Sequence, residues 1–241
     1  MDKIISPEKA YKDLDFLNST DARSIRILSE YLEPLSRFRK LKVNNTVLFF
    51  GSARLSSNNE TPLSKFYQEA EELAYLLTKW TAKLTPKEKQ FVICTGGGGG
   101  IMEAANRGAS RAGGKSIGMN ISLPYEQHIN PYISPELAFD FHYFFMRKFW
   151  LINLAKSIVA FPGGFGTLDE IFETLTLLQT RKISKEKTFI LLYGEKYWRE
   201  IVDFAALVKH GVILPEDLRL FKFSSDIDHA FNLLKKHLIK N

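Results

Sequence analysis

The sequence predicts an α/β fold: a doubly wound parallel sheet in three layers, α/β/α, with a helical extension at the N-terminus. Three observations carry this. Short apolar runs alternate with segments of helical period. The runs read as continuous rather than alternating, as strands covered on both faces do. Two of them, 91–95 and 157–161, end in glycine-rich turns that open a helix.

The elements follow in order. Residues 1–44 are amphipathic and helical. Asp21 is placed to cap a helix carrying Ile25, Ile27, Leu28, Tyr31 and Leu32, which ends in a basic run over 37–40. This segment reads as an extension packed on a main domain of residues 45–241. A strand over 46–50 ends at Gly51-Ser52. A helix over 66–80 leads to a strand over 91–95 and the five glycines 96–100. Helix 101–112 and strand 115–121 follow. Residues 139–145 read as a strand and 147–156 as a helix. Strand 157–161 enters the turn Pro162-Gly-Gly-Phe-Gly-Thr167, and a helix over 167–181 leaves it. Strand 188–193, helix 197–209, a short strand over 221–223 and helix 226–238 complete the chain. The longest irregular stretch, 122–136, with prolines at 124, 131 and 135, has the length of loops that often carry function.

Composition narrows the function classes. The 241 residues are 45% hydrophobic and 25% charged, ample for a sizeable core. A net charge of +6 suits anionic small molecules as well as nucleic acid. The single cysteine, Cys94, excludes an internal disulfide and reads as core. Five histidines without ligand spacing point to no metal site. The N-terminus has no signal-peptide core and no stretch has the length of a spanning helix, so a cytoplasmic protein is expected, without membrane partners.

In a parallel sheet the turns after the strands emerge at one edge, where ligands bind. Gly97 and Gly98 of the first turn, Gly163, Gly164 and Gly166 of the second, and Ser52 after the first strand are therefore candidate walls of one site. Backbone N–H groups at a helix start suit phosphate, although no P-loop pattern is present. Thr167 and Glu170 have two readings. They form a Thr-x-x-Glu capping box, or they serve the site, since residues 168, 171, 172, 175 and 178 mark the buried stripe and leave Glu170 and Glu173 beside it. Met146-Arg147-Lys148 lies among Phe144, Phe145, Phe149 and Trp150, and an arginine held among aromatics is positioned for phosphate or a developing charge.

Pro162-Gly-Gly-Phe-Gly-Thr-Leu-Asp-Glu170 resembles the P-G-G-x-G-T-x-x-E signature of the LOG ("lonely guy") family of cytokinin riboside 5′-monophosphate phosphoribohydrolases, once labelled lysine decarboxylases. Met146-Arg147-Lys148 is similar to its Arg-Lys pair. Residues 95–109 resemble its first glycine turn, and residues 50–54 its opening strand. The likeness covers about 46–193. Residues 123–127 and 130–132 look like the longer bacterial branch, which leaves the base open between adenine, a cytokinin and others. The resemblance implies a Rossmann-like fold, a homodimer or larger assembly, and hydrolysis of a nucleoside 5′-monophosphate substrate to free base and ribose 5-phosphate, with no cofactor. It implies Arg147 and Glu170 as the catalytic pair and Gly163, Gly164, Gly166 and Thr167 as phosphate binders. Glu170 would hold the ribose and stabilise its developing charge, or act as base. Arg147 would face the departing base or the phosphate. Three rivals remain. One is a non-catalytic nucleotide-binding or carrier protein of the same fold. The second is a nucleic-acid binder using the basic patches 37–42 and 181–187, which lack aromatic interleaving. The third is a pyridoxal enzyme, which needs a Schiff-base lysine.

Overall fold

The computed structural model describes residues 7–56, 63–86, 89–123, 129–184 and 188–239. Residues 124–128 of the long loop and 185–187 of the second basic patch lie outside them. Among the described residues, helices α1 (Leu14–Asn18) and α2 (Arg23–Leu41) precede strand β1 (Thr46–Phe50). There follow α3 (Lys65–Thr81), β2 (Val92–Thr95), α4 (Ile101–Arg111), β3 (Ser116–Ile121), β4 (Ala138–Phe141), α5 (Phe144–Asn153) and β5 (Ala155–Ala160). Then come α6 (Phe165–Gln179), β6 (Phe189–Tyr193), α7 (Glu195–Ile201), α8 (Phe204–Lys209), β7 (Phe221–Ser224) and α9 (Ile227–Leu238).

The strands form one sheet in the order β4-β3-β2-β1-β5-β6-β7. Every described pairing is parallel. All five residues of β1 are buried because both faces are covered. Val47 and Phe49 pack with α3, α4 and α9, including Leu73, Ala105 and Leu234. Leu48 and Phe50 pack on the opposite face with Phe38 of α2, Trp150 of α5, Ile171 of α6 and Trp198 of α7. The alternation of side chains along a strand thus feeds two cores. Helix α4 lies close on α3 because Gly108 has no side chain; a Cβ there would collide with the Glu71 carbonyl.

Four local readings change, one being that the helix expected over 197–209 is broken at Val202 and Asp203 into α7 and α8. Helix α2 is capped at Ala22 without a side-chain bond, so Asp21 is not its cap; Asp13 caps α1 instead, accepting from the Phe16 N–H at 2.9 Å. The 139–145 segment divides, since β4 stops at Phe141 and Phe144 and Phe145 begin α5. Consequently α5 ends at Asn153 and β5 starts two residues before the expected strand. The apolar content of 139–156 fits strand or helix equally, and only pairing with β3 separates them. No helix among the described residues is long and apolar enough to cross a membrane.

Candidate active site

The order of strands reverses between β1 and β5, which are neighbours at the centre of the sheet. At such a point the turns after the two strands diverge and leave a crevice at the carboxyl edge. Here the turns are tied together. The Ser52 N–H donates to the Pro162 carbonyl at 2.9 Å, and the Ser52 carbonyl accepts from the Ile101 N–H at 3.0 Å. Gly100, the cap of α4, has φ +66°, and a Cβ on it would strike the Ser52 carbonyl. Only glycine takes that conformation readily. The three turns expected at one edge therefore share a wall.

Helix α6 begins at Phe165 and is capped by Gly164, with no side-chain bond. This overturns the capping-box reading: Thr167 is already the third helical residue and Glu170 sits in the second turn. The buried face of α6 is Thr167, Glu170, Ile171, Thr174 and Leu178, while Phe172 is exposed. The stripe drawn from apolar residues alone is thus rotated, and Glu170 points inward. The N–H groups of Phe165, Gly166 and Thr167 precede the first intrahelical bond, Leu168 N–H to the Gly164 carbonyl at 3.0 Å. Around Gly164 and Gly166 a Cβ would meet no atom within 4 Å. The tip of the turn faces open space.

Arg147 reaches the crevice from α5. Its Nε donates to the Met119 carbonyl within β3, at 2.8 Å. Its guanidinium occupies the space above Gly96, where a Cβ would collide with it. Phe144, Phe145 and Phe149 are exposed, so a backbone carbonyl and a bare glycine hold the arginine, not the aromatics. Met146 is buried in the core. Arg147 Nη1 and Glu170 Oε1 stand 3.8 Å apart. The second carboxylate oxygen of Glu170 is buried and has no hydrogen-bond partner among the described residues. Burial pushes the Glu170 carboxyl up to about 7, against the pull of Arg147 and Lys148. Burial likewise holds the Arg147 guanidinium below its ordinary value, though Glu170 opposes this. Lys148 bridges Asp169 at 2.7 Å and Glu173 at 2.9 Å. Burial disfavours its charge, but those two partners outweigh it and raise its pKa.

The first turn is internally braced. The Gly97 N–H donates to Thr95 Oγ1 at 3.0 Å, and Asn130 Nδ2 donates to the Gly97 and Gly98 carbonyls at 3.1 and 2.9 Å. Asn130 also donates to Asn106 Oδ1, which accepts from Thr95 Oγ1 at 2.7 Å. The amides of Ser52 and Gly97 are therefore engaged within the protein. Gly163 is buried, its carbonyl accepting from the Tyr197 hydroxyl at 2.7 Å. Thr95, Asn106 and Asn130 lie in the segments 95–109 and 130–132 that carry the resemblance, but the sequence gives none of them an individual role. Among the described residues no three His, Cys, Asp or Glu side chains form a metal-binding group. The thiol of Cys94 is fully buried and pushed up to about 12 by that burial, which unsuits it as a nucleophile.

Known proteins match in the same region. The family model described as "Possible lysine decarboxylase" matches residues 102–234, more than half of the chain. An uncharacterized protein of Archaeoglobus fulgidus is 26% identical over 127 residues, 52% of this chain and 79% of that one. The X-ray structure of a protein called TM1055 superposes with a TM-score of 0.56 at 23% identity, over 80% of this chain and 99% of that one. A molybdenum cofactor binding protein from Rippkaea orientalis gives 0.53 at 19% identity, over 80% and 96% of the two chains. A molybdenum cofactor carrier protein from Chlamydomonas reinhardtii gives 0.53 at 20%, over 81% and 99%. These structural likenesses share the Rossmann-like fold. With Arg147 and the turn ending in Glu170 both inside the matched span, the chain belongs to the LOG family, the family formerly described as possible lysine decarboxylases.

Proposed function

We propose that this protein hydrolyses the N-glycosidic bond of a nucleoside 5′-monophosphate, AMP or a cytokinin riboside monophosphate, giving free base and ribose 5-phosphate. The observation that carries the reading is the buried Glu170 oxygen without a partner, opposite Arg147 at the switch point. A carboxylate left incomplete in so dry a place is matched to a ligand that completes it.

In this reading the phosphate docks on the open N–H groups of residues 165–167, where helix geometry favours an anion. Remote binding there orients the sugar. Glu170 lies one helical turn further in and faces the ribose. As the C1′–N bond breaks, its electron pair leaves with the base and the sugar gains oxocarbenium character. The Glu170 carboxylate stabilises that charge more than it stabilises the substrate. Water then bonds to C1′, and its proton passes to Glu170, whose pKa near 7 suits a base at neutral pH; the base anion takes up a proton from solvent and Glu170 returns its own to solvent, which closes the cycle. Arg147 faces the negative charge that develops on the departing base. Lys148 holds Asp169 and Glu173 away from the phosphate, which lowers their repulsion of it. The same reading expects a homodimer, for which the exposed Phe144, Phe145 and Phe165 at the rim offer an apolar face.

The likeness in fold to molybdenum cofactor carriers favours one alternative: a non-catalytic nucleotide-binding or carrier protein of the same fold. Incubation with AMP, GMP, CMP, UMP and isopentenyl-AMP, with chromatography of the free base, separates the two. Release of base that is lost in Glu170→Gln supports hydrolysis. Tight binding without release supports the carrier.

A further inference from the structure

We propose that Glu30, on the N-terminal helix α2, is a positioning residue that sets Arg147 by clamping helix α5 at two points; this rests on the reading of Arg147 given above. Helix α5 has no cap of its own. Its cap residue, Tyr143, makes no side-chain bond, and no acidic residue lies in its first turn. Glu30 supplies what is missing from 112 residues away. Its Oε1 accepts from the His142 N–H at 2.8 Å and its Oε2 from the Tyr143 N–H at 3.2 Å. A carboxylate there also complements the positive end of the helix dipole.

The second point is the Glu30 backbone. Pro34 lies inside α2 and is buried. Proline has no N–H, so the carbonyl four residues earlier, that of Glu30, loses its intrahelical donor. That carbonyl accepts from the Trp150 indole N–H of α5 at 3.0 Å. Trp150 is 1% exposed, and Tyr31 packs on its ring and on that of Phe149, at 5.8 and 5.7 Å. One residue thus grips α5 before its first turn and again in its second, with Arg147 between the two grips. The proline reads as a device that frees a carbonyl for this purpose.

The test compares Glu30→Ala, Glu30→Gln and Pro34→Ala with Arg26→Ala. Arg26 donates to the Leu17 and Ser19 carbonyls, both at 2.6 Å, so its loss loosens the extension without touching α5. Hydrogen exchange over residues 142–150, AMP affinity by calorimetry, and kcat and KM for base release are read on each full-length variant. Glu30→Ala and Pro34→Ala are expected to speed exchange over 142–150 and to lower kcat about tenfold or more, with KM changed less than about threefold. Glu30→Gln keeps one acceptor oxygen and should fall between Glu30→Ala and the parent. Arg26→Ala should leave all these readings near the parent's. Unchanged exchange in Glu30→Ala, or faster exchange with parental kcat, overturns the proposal. So does an equal loss in Arg26→Ala, which would mean general destabilisation. If the parent protein releases no base, the hydrolase reading fails, and exchange together with AMP affinity still decides the clamp: faster exchange with weakened affinity supports it, and parental values overturn it.

Discussion

Arg147 and Glu170 form a buried pair held slightly apart: the facing atoms are 3.8 Å from each other, and the two side chains are 14% and 7% exposed. Both groups lose solvation, and their mutual contact is too long to repay either in full; Arg147 has a close partner in the Met119 carbonyl, whereas Glu170 Oε2 has none among the described residues. Glu170→Gln and Arg147→Ala should each lower base release by about a hundredfold or more while the fold persists, as loss of an electrostatic group at a reacting centre does. Circular dichroism and a turnover assay on the purified variants check this; full activity in Glu170→Gln would remove Glu170 from the mechanism.

The raised Glu170 pKa has a stability consequence of definite sign. Its folded value of about 7 lies above its ordinary 4.5, so the folded state binds the proton more tightly than the unfolded state. This contribution is fully present below pH 4.5 and is lost as pH rises through 7. The loss approaches about 3 kcal/mol as an order of magnitude. Glu170→Gln, which imitates the protonated form, should therefore match the parent in urea melts near pH 4.5 and exceed it at pH 8.

The same group governs rate. If its carboxylate is the working form, kcat/KM should rise about tenfold per pH unit below an inflection near 7 and level off above it. Initial rates between pH 5 and 8.5 measure this; a flat profile would contradict a role for the ionised Glu170.

Glycines of the two turns should separate by what a methyl group meets. In Gly96→Ala the methyl displaces the Arg147 guanidinium and crowds Met102 Sδ at 2.8 Å, so activity should drop about tenfold or more. Gly166→Ala meets no protein atom and lies within α6, so stability should rise by about 0.5–1 kcal/mol. Monophosphate affinity should nevertheless fall in Gly166→Ala, because the methyl enters the open space proposed above as the phosphate site. Calorimetry with AMP tests this, and adenosine should bind poorly to the parent itself.

Asn130 is expected to matter for stability and site together. Asn130→Ala removes its side-chain donations to Gly97, Gly98 and Asn106; the Gly97 carbonyl keeps the backbone N–H of residue 130 and Asn106 keeps the Thr95 hydroxyl, but the buried Gly98 carbonyl loses its donor. A cost of about 1–3 kcal/mol follows for such an orphaned group. Thermal melts and AMP affinity should decline in step.

The layered parallel sheet was legible in the sequence because a strand covered on both faces must be apolar at nearly every position, as 46–50 and 157–161 are. The convergence of the glycine turns was legible too, since parallel strands send all such turns to one edge. So was the choice of Arg147 and Glu170 as candidates, which local motif chemistry marks and the fold brings within 3.8 Å of each other. Tertiary structure decided what lies far apart along the chain. That Glu170 faces inward follows from the start of α6 at Phe165, not from its apolar stripe. Its pKa follows from burial, which no local window contains. The Met119 carbonyl on Arg147, Asn130 beneath the first turn, and Glu30 at the head of α5 join residues 28 to 113 positions apart. Motif and periodicity record only what neighbours in sequence must share; the partners that aim a side chain are chosen by the packing of whole elements, which exists only once the chain has folded.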